Sequence, residues 1–274
     1  MPRDSVKQTF KVAILLCLVC SLLVSASAVG LRSIQEANKL RDKQKNILIA
    51  AGLYDPDEHG ASEIENIFNE EVETEIQVTS RIVDLKTGDY LPESDYADVL
   101  GVKSASGYDQ KQAANDPELS EPAKQDVASI KRRENYSLVY EISEAGEFKQ
   151  LVLPIRGYGL WSTLWGFVAI DAQSLKKGPE HVTIAGLKYY DQKETPGLGG
   201  EVDNPNWLSQ WPGKHIYDAN WIVKIEVAKG GAAEEYHVDA LSGATITSNG
   251  VTYMMEYWFG EEGFRPFLKK LSGK

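Results

Sequence analysis

The sequence predicts an α+β fold: a strand-rich domain with flanking helices, preceded by one N-terminal transmembrane helix. Three observations carry that expectation. Val12 to Leu31 is an uncharged, largely apolar run, about the length a helix needs to cross ~30 Å of hydrocarbon. From Ser137 onward, β-branched and aromatic segments succeed one another across short turn-forming links. Helical stretches are interspersed among these rather than alternating with every strand, which favours α+β over a βαβ arrangement.

Length and charge set the outer limits. A chain of 274 residues fits one sizeable domain, alone or with appendages. The formal net charge of −11 argues against a nucleic-acid partner, because phosphate backbones need clustered Lys and Arg. His59, His181, His215 and His237 are scattered without metal-ligand spacing, so no metal site is expected. The only cysteines, Cys17 and Cys20, lie within the apolar run. The remainder therefore has no internal disulfide, thiolate nucleophile or Cys-ligated cluster.

The apolar run has two readings. Ala26-Ser-Ala28 resembles a signal-peptidase site, which would make the segment a cleaved leader. Against that, helix-compatible sequence continues from Arg32 to Ala51, with Ile34, Ala37 and Leu40 near one face, and this favours a retained anchor. Arg3, Lys7 and Lys11 precede the run, and Arg32, Lys39, Arg41, Lys43 and Lys45 follow it. Charge bias alone therefore does not orient the helix. The expected division is a tail over 1–11, a transmembrane helix over 12–31, a helical connector over 32–54 and the main domain over 55–274.

Within the main domain, Ser62 suits the cap of a short helix carrying Ile64, Ile67 and Phe68. Ile76, Val78 and Ile82 alternate as one face of a strand closed by a turn at Thr87-Gly-Asp89. Residues 91–135 are polar and broken by Asp116-Pro117 and Glu121-Pro122, and read as a long surface excursion. Strands are expected over 137–142 and 148–155, joined by a hairpin at Glu144–Glu147, and over 166–170, 181–190, 221–227 and 235–238. A short helix is expected over 201–211. Another, carrying Val251, Met254, Met255 and Trp258, is expected to begin near Ser248 or Asn249.

Three stretches carry the chemistry. Asp239-Ala-Leu-Ser-Gly-Ala-Thr245 sets small residues, Gly243 and Ala244, between the hydroxyls of Ser242 and Thr245, leaving the last open to an approaching enzyme or phosphate. Glu194-Thr-Pro-Gly-Leu-Gly199 is a Gly-rich loop able to bring its backbone close to a flat ligand, with Leu198 against the ligand's face. Gly157-Tyr-Gly-Leu-Trp161-Ser162 offers Tyr158 and Trp161 for stacking. Each also has a plainer account: a polar loop before a helix, a turn at a strand end, and aromatic residues in the core.

Taken in this order and spacing, the three stretches resemble the covalent FMN-binding domain family. With the N-terminal helix, the chain resembles the C subunit of the Na+-translocating NADH:quinone oxidoreductases; the G subunit of Rnf-type ferredoxin:NAD oxidoreductases is the related alternative. A membrane-tethered flavin module that senses redox state is a further one. The resemblance implies one FMN esterified through its phosphate to Thr245. It implies a flavin transferase recognising Asp239, Ser242, Gly243 and Ala244. Glu194, Thr195, Gly197, Leu198 and Gly199 would lie against the isoalloxazine, with Tyr158 and Trp161 in the same pocket. No acid–base catalytic residue is implied. Other membrane subunits of the complex would be partners, with the chain in the cell inner membrane and its main domain on the periplasmic side.

Overall fold

The computed structural model describes residues 6–55, 57, 59–230 and 234–273. Arg3, in the tail expected over 1–11, lies outside them. The chain forms two compact units, divided between Lys43 and Gln44. Helix α1 (Val6–Ala50) runs through 45 residues. It starts six residues before the apolar run, because nothing from Val6 to Lys11 breaks a helix; Lys7 and Lys11 thus sit on the helix rather than in a tail. It is the one helix among the described residues long and apolar enough to cross a membrane. Its final turns belong to the second unit, where Asn46, Ile47, Leu48 and Ala50 are buried.

In the second unit, α2 (Ala61–Ile67) buries Ile64 and Ile67. Gly60 rather than Ser62 occupies the N-cap, and the Ser62 hydroxyl donates to Glu63 at 2.9 Å. Strands β1 (Ile76–Asp84) and β2 (Asp89–Tyr90) form a tight hairpin. The polar stretch that follows holds α3 (Tyr96–Leu100), α4 (Gln110–Ala113), β3 (Ser120–Pro122) and β4 (Arg132–Glu134). It is more than a surface excursion, because Tyr96, Ala105, Tyr108, Ala113 and Ile130 from it are buried. No single element carries enough of them to produce a readable period.

Strands β5 (Tyr136–Glu144), β6 (Glu147–Tyr158), β7 (Thr163–Asp171) and β8 (Ile184–Asp191) complete a six-stranded antiparallel sheet in the order β2-β1-β5-β6-β7-β8. The β5–β6 turn puts Ala145 and Gly146 at φ of 48° and 78°, the left-handed pair that matches strand twist. Both faces of the sheet are covered. Side-chain alternation sends Val139, Leu151, Leu153 and Ile155 into one apolar cluster, and Leu138, Tyr140 and Val152 into a second, which also holds Ile47 and Leu48 of α1.

The remaining elements are α5 (Ala172–Leu175), capped by Asp171, α6 (Pro205–Leu208), capped by Asn204, and the parallel pair β9 (Glu226–Ala228) and β10 (His237–Asp239). Helices α7 (Thr245–Trp258) and α8 (Arg265–Leu271) close the chain. The helix expected over 201–211 divides into a 3-10 turn, Gly199–Asp203, and α6, because Asn204 caps a new start and Pro205 takes its first position. The strand expected over 221–227 contracts to β9. Trp221 has φ 62°, and the Asp218 carboxylate accepts from the N–H groups of Asn220 and Ile222, making a turn there.

Helix α7 lies across β6 with Val251, Met254, Met255 and Trp258 buried beneath it. The approach is close: a Cβ on Gly157 would stand 3.0 Å from Met254, and Trp258 Nε1 donates to the Arg156 carbonyl at 2.6 Å. Arg156 is buried beside Trp165 and Trp258 and pairs with buried Glu134 at 2.6 Å. This packing holds the end of β6 against the second half of α7.

Candidate functional site

The three motif stretches meet where β6 turns into β7, where β8 ends and where α7 begins. Glycines allow the convergence. An added Cβ on Gly250 would lie 2.4 Å from the Tyr158 carbonyl, one on Gly159 2.8 Å from Glu194, and one on Gly199 2.6 Å from the Thr247 hydroxyl. On Gly243 it would lie 3.0 Å from Leu198. Backbone and side chains of separate segments therefore occupy the space a side chain would need.

Glu194 stands at the centre of this junction, and only 5% of it is exposed. Its Oε1 accepts from the N–H groups of Trp161 at 2.9 Å and Ser162 at 3.1 Å; the Leu160 N–H reaches Oε2 at 3.1 Å. The Ser162 and Thr247 hydroxyls donate to the same carboxylate at 3.3 and 2.9 Å. Burial alone would raise the Glu194 carboxyl, but the Trp161 N–H, the Thr247 hydroxyl and the Leu160 and Ser162 N–H groups outweigh it and hold it below the ordinary value. The carboxylate is thus directed into the protein, at the backbone of the Tyr158–Ser162 turn.

Thr245 is the first residue of α7, and its side chain is exposed. The helix begins here, earlier than Ser248 or Asn249. Residue type suggests Ser248 as a cap, yet its hydroxyl accepts from the Leu241 N–H at 3.0 Å, and its own N–H makes the first helical bond to Ala244 at 2.9 Å. Besides Ser248, three hydroxyls flank the helix start, and their surroundings differ. Thr247 is fully buried on Glu194, whereas Ser242 and Thr245 face solvent. Gly243 takes φ 71°, which turns the chain from β10 into the helix. Ala244 is buried below it. Asp239 is held through its backbone, donating to Gln210 at 3.0 Å and accepting from Trp207 at 2.7 Å.

The other two motif stretches bring exposed apolar side chains to the same junction. Leu198 is 43% exposed, Tyr158 44% and Trp161 66%, so neither aromatic is a core residue. Thr195 and Gly197 lie on the same loop; the Thr195 carbonyl accepts from Leu198 and Gly200 at 3.1 and 3.0 Å, and Gly197 is exposed and takes φ 76°. Thr195 itself is exposed, and its carbonyl closes the loop through these two bonds. The arrangement suits a flavin mononucleotide. Exposed Leu198, Tyr158 and Trp161 share this junction with an exposed hydroxyl at the N-terminus of a 14-residue helix that no side chain caps. The first-turn N–H groups of such a helix have no intrahelical acceptor and favour a phosphate.

Comparison with known proteins agrees with this geometry. A family model described as an FMN-binding domain matches residues 159–260, which take in the Glu194 loop, Thr245 and all but the first two residues of the aromatic turn. The C subunit of the Na(+)-translocating NADH-quinone reductase of Pseudomonas aeruginosa is 43% identical over 98% of this chain and 97% of its own. The chain belongs to the NqrC family, the C subunits of these reductases. The Vibrio parahaemolyticus C subunit is 42% identical over 98% of this chain and 96% of its own. The crystal structure of NqrC from Shewanella oneidensis superposes with a TM-score of 0.72 at 34% identity, covering 86% of this chain and all of that one. The C-subunit structure from Parabacteroides distasonis gives 0.60 at 26% identity, covering 87% and 96%. The expected α+β architecture with its N-terminal apolar helix is that of the NqrC family, and the naming of these relatives favours it over the Rnf-type G subunit.

Several residues of this NqrC-family site escape a reading of the sequence alone. Thr247 and Ser162 contribute hydroxyls to Glu194, and Gly159 and Gly250 permit the close approach of turn and helix. A Gly at position 250, inside an otherwise regular helix, is the available signal, since Gly there costs helix stability unless something must come near.

Proposed function

We propose that this chain is the flavin-carrying subunit of a sodium-translocating NADH:quinone reductase, with one FMN held as a phosphoester of Thr245. The observation that carries this reading is the position of Thr245: an exposed hydroxyl on the first turn of α7, where the aromatic turn and the Gly-rich loop converge. FMN, when bound, supplies reversible redox chemistry, and the chain's own residues supply placement and exclude competing contacts. Leu198, Tyr158 and Trp161 provide an apolar surface for the ring. Thr195, Gly197 and Gly199 present backbone at its edge. The first-turn N–H groups of α7 receive the phosphate without a basic clamp, in keeping with the acidic composition.

Asp239, Ser242, Gly243 and Ala244 are the sequence a flavin transferase reads. Gly243 and Ala244 leave it room, and the left-handed turn at Gly243 projects Thr245 outward. Residues 12–31 of α1 anchor the chain in the cell inner membrane as a single span, and the main domain lies on the periplasmic side among the other membrane subunits. Outside the cytoplasm a lost flavin has no pool to replace it, so a covalent link removes dissociation as a failure. An ester through the phosphate also leaves the ring system unaltered.

Full-length protein produced beside the transferase should carry the mass of one FMN less water and fluoresce in a denaturing gel. Thr245→Ala should lose both. Retention of the mass in that variant would move the attachment to another hydroxyl, and Ser242, the other exposed one, would be examined next.

A further inference from the structure

Glu194 is a buried carboxylate in the middle of the site, yet its oxygens are committed to the protein. Three consecutive N–H groups, from Leu160, Trp161 and Ser162, converge on it, as do the Ser162 and Thr247 hydroxyls. Successive amides aimed at one point form a concave anion site, and here the chain fills that site with its own side chain. The donors come from two other segments, the turn between β6 and β7 and the first turn of α7. Gly159 and Gly199 crowd the carboxylate from either side, at 2.8 Å from an added Cβ in each case.

We propose that Glu194 is a positioning residue: its carboxylate fixes the Leu160–Ser162 turn and Thr247 against Gly199, and so sets the surface on which a flavin attached at Thr245 rests. This rests on the assignment of FMN to Thr245. The residue makes its contribution through others. It holds Trp161 by the backbone while leaving its ring outward, and it holds the first turn of α7, where Thr245 begins the helix, through Thr247. It also withdraws the Thr247 hydroxyl from solvent, leaving Thr245 as the open hydroxyl on that turn. A direct ring contact, by contrast, would require an oxygen turned towards the exposed face, and both oxygens point inward to these donors.

The test compares full-length wild type, Glu194→Gln, Glu194→Ala and Thr247→Val, each produced beside the flavin transferase and purified in detergent. Visible circular dichroism and the flavin reduction potential are normalised to the flavin attached. Glu194→Gln keeps the volume but turns an amide N–H2 towards N–H groups, and Thr247→Val removes one donor while keeping the side chain's shape. The expected result is loss of the flavin's circular dichroism band in both Glu194 variants, a smaller loss in Thr247→Val, and a shift in potential in the same order. Acetate added to Glu194→Ala should restore part of the band by refilling the anion site. Wild-type dichroism and potential in folded Glu194→Gln and Thr247→Val would overturn the proposal, even if Glu194→Ala failed to fold. If wild type carried its flavin elsewhere than Thr245, the attachment reading would fail instead. In flavin-free protein the part of the tryptophan emission that Trp161→Phe removes would then still report on the turn: a shift of that part in Glu194→Gln supports the positioning role, and an unchanged one overturns it.

Discussion

Gly250→Ala tests how tightly helix and turn are apposed at this site. Gly250 is buried in α7, and an added Cβ would stand 2.4 Å from the Tyr158 carbonyl oxygen and 3.3 Å from the Gly159 Cα. Ordinary contact begins near 3.4 Å, so the helix must withdraw by about 1 Å, the difference between 3.4 and 2.4 Å. The obstacle is backbone, held on one side by the Glu194 hydrogen bonds and on the other by the β6–β7 ladder. Two effects compete. Overpacking of this kind costs about 1–3 kcal/mol, and a rigid neighbour places it near the upper end. Replacing Gly by Ala in a helix interior returns about 1 kcal/mol. Packing should win, giving a net destabilisation of about 1–2 kcal/mol. For a domain of this size that lowers the melting temperature by roughly 2–8 °C. Calorimetry of the full chain measures it, with Gly107→Ala as control, because a Cβ there meets only Val102 at 3.7 Å. A melting temperature above wild type would show that helix propensity dominates and that the approach of α7 to the Tyr158–Ser162 turn is compliant.

Further consequences concern charge. The Glu194 carboxyl is held below its ordinary value of 4.5, so its contribution to stability is fully present above that pH and is lost as pH falls through the lower, folded value. Glu194→Gln should therefore flatten the acid limb of a stability-versus-pH curve below about pH 4.5, measured by urea unfolding; an unchanged limb would mean that another carboxylate controls it. Removing one partner of the buried Arg156–Glu134 pair leaves the other charge uncompensated beneath the site. Glu134→Ala should cost about 3–5 kcal/mol in chemical denaturation, and a cost under about 1 kcal/mol, the scale of an exposed pair, would show that water reaches Arg156.

Much of this protein is legible in its sequence because the signals are local. The uncharged run from Val12, the alternation along β5 to β8 and the hairpin at Ala145-Gly146 each depend on neighbours within a few residues. So do the three motif stretches, whose glycines and hydroxyls mark an open helix start and two close turns. What the sequence leaves open depends on distant partners. The residues of 91–135 look polar because Tyr96, Tyr108 and Ile130 are buried one at a time from separate short elements. Trp221 reads as a strand residue until the Asp218 carboxylate draws the chain into a turn. Ser248 resembles a cap, but Leu241 claims its hydroxyl and the helix starts at Thr245.

The site divides the same way. The sequence by itself determined where the three motif stretches lie and which hydroxyl ends the Asp239–Thr245 stretch, because both are properties of contiguous residues. Only the tertiary structure decided which hydroxyl faces solvent and where Glu194 points. Those outcomes depend on backbone N–H groups 33 residues away in the chain and on Thr247, 53 away. A carboxylate and its donors are matched across such distances by packing, and packing has no signature in a single stretch of sequence.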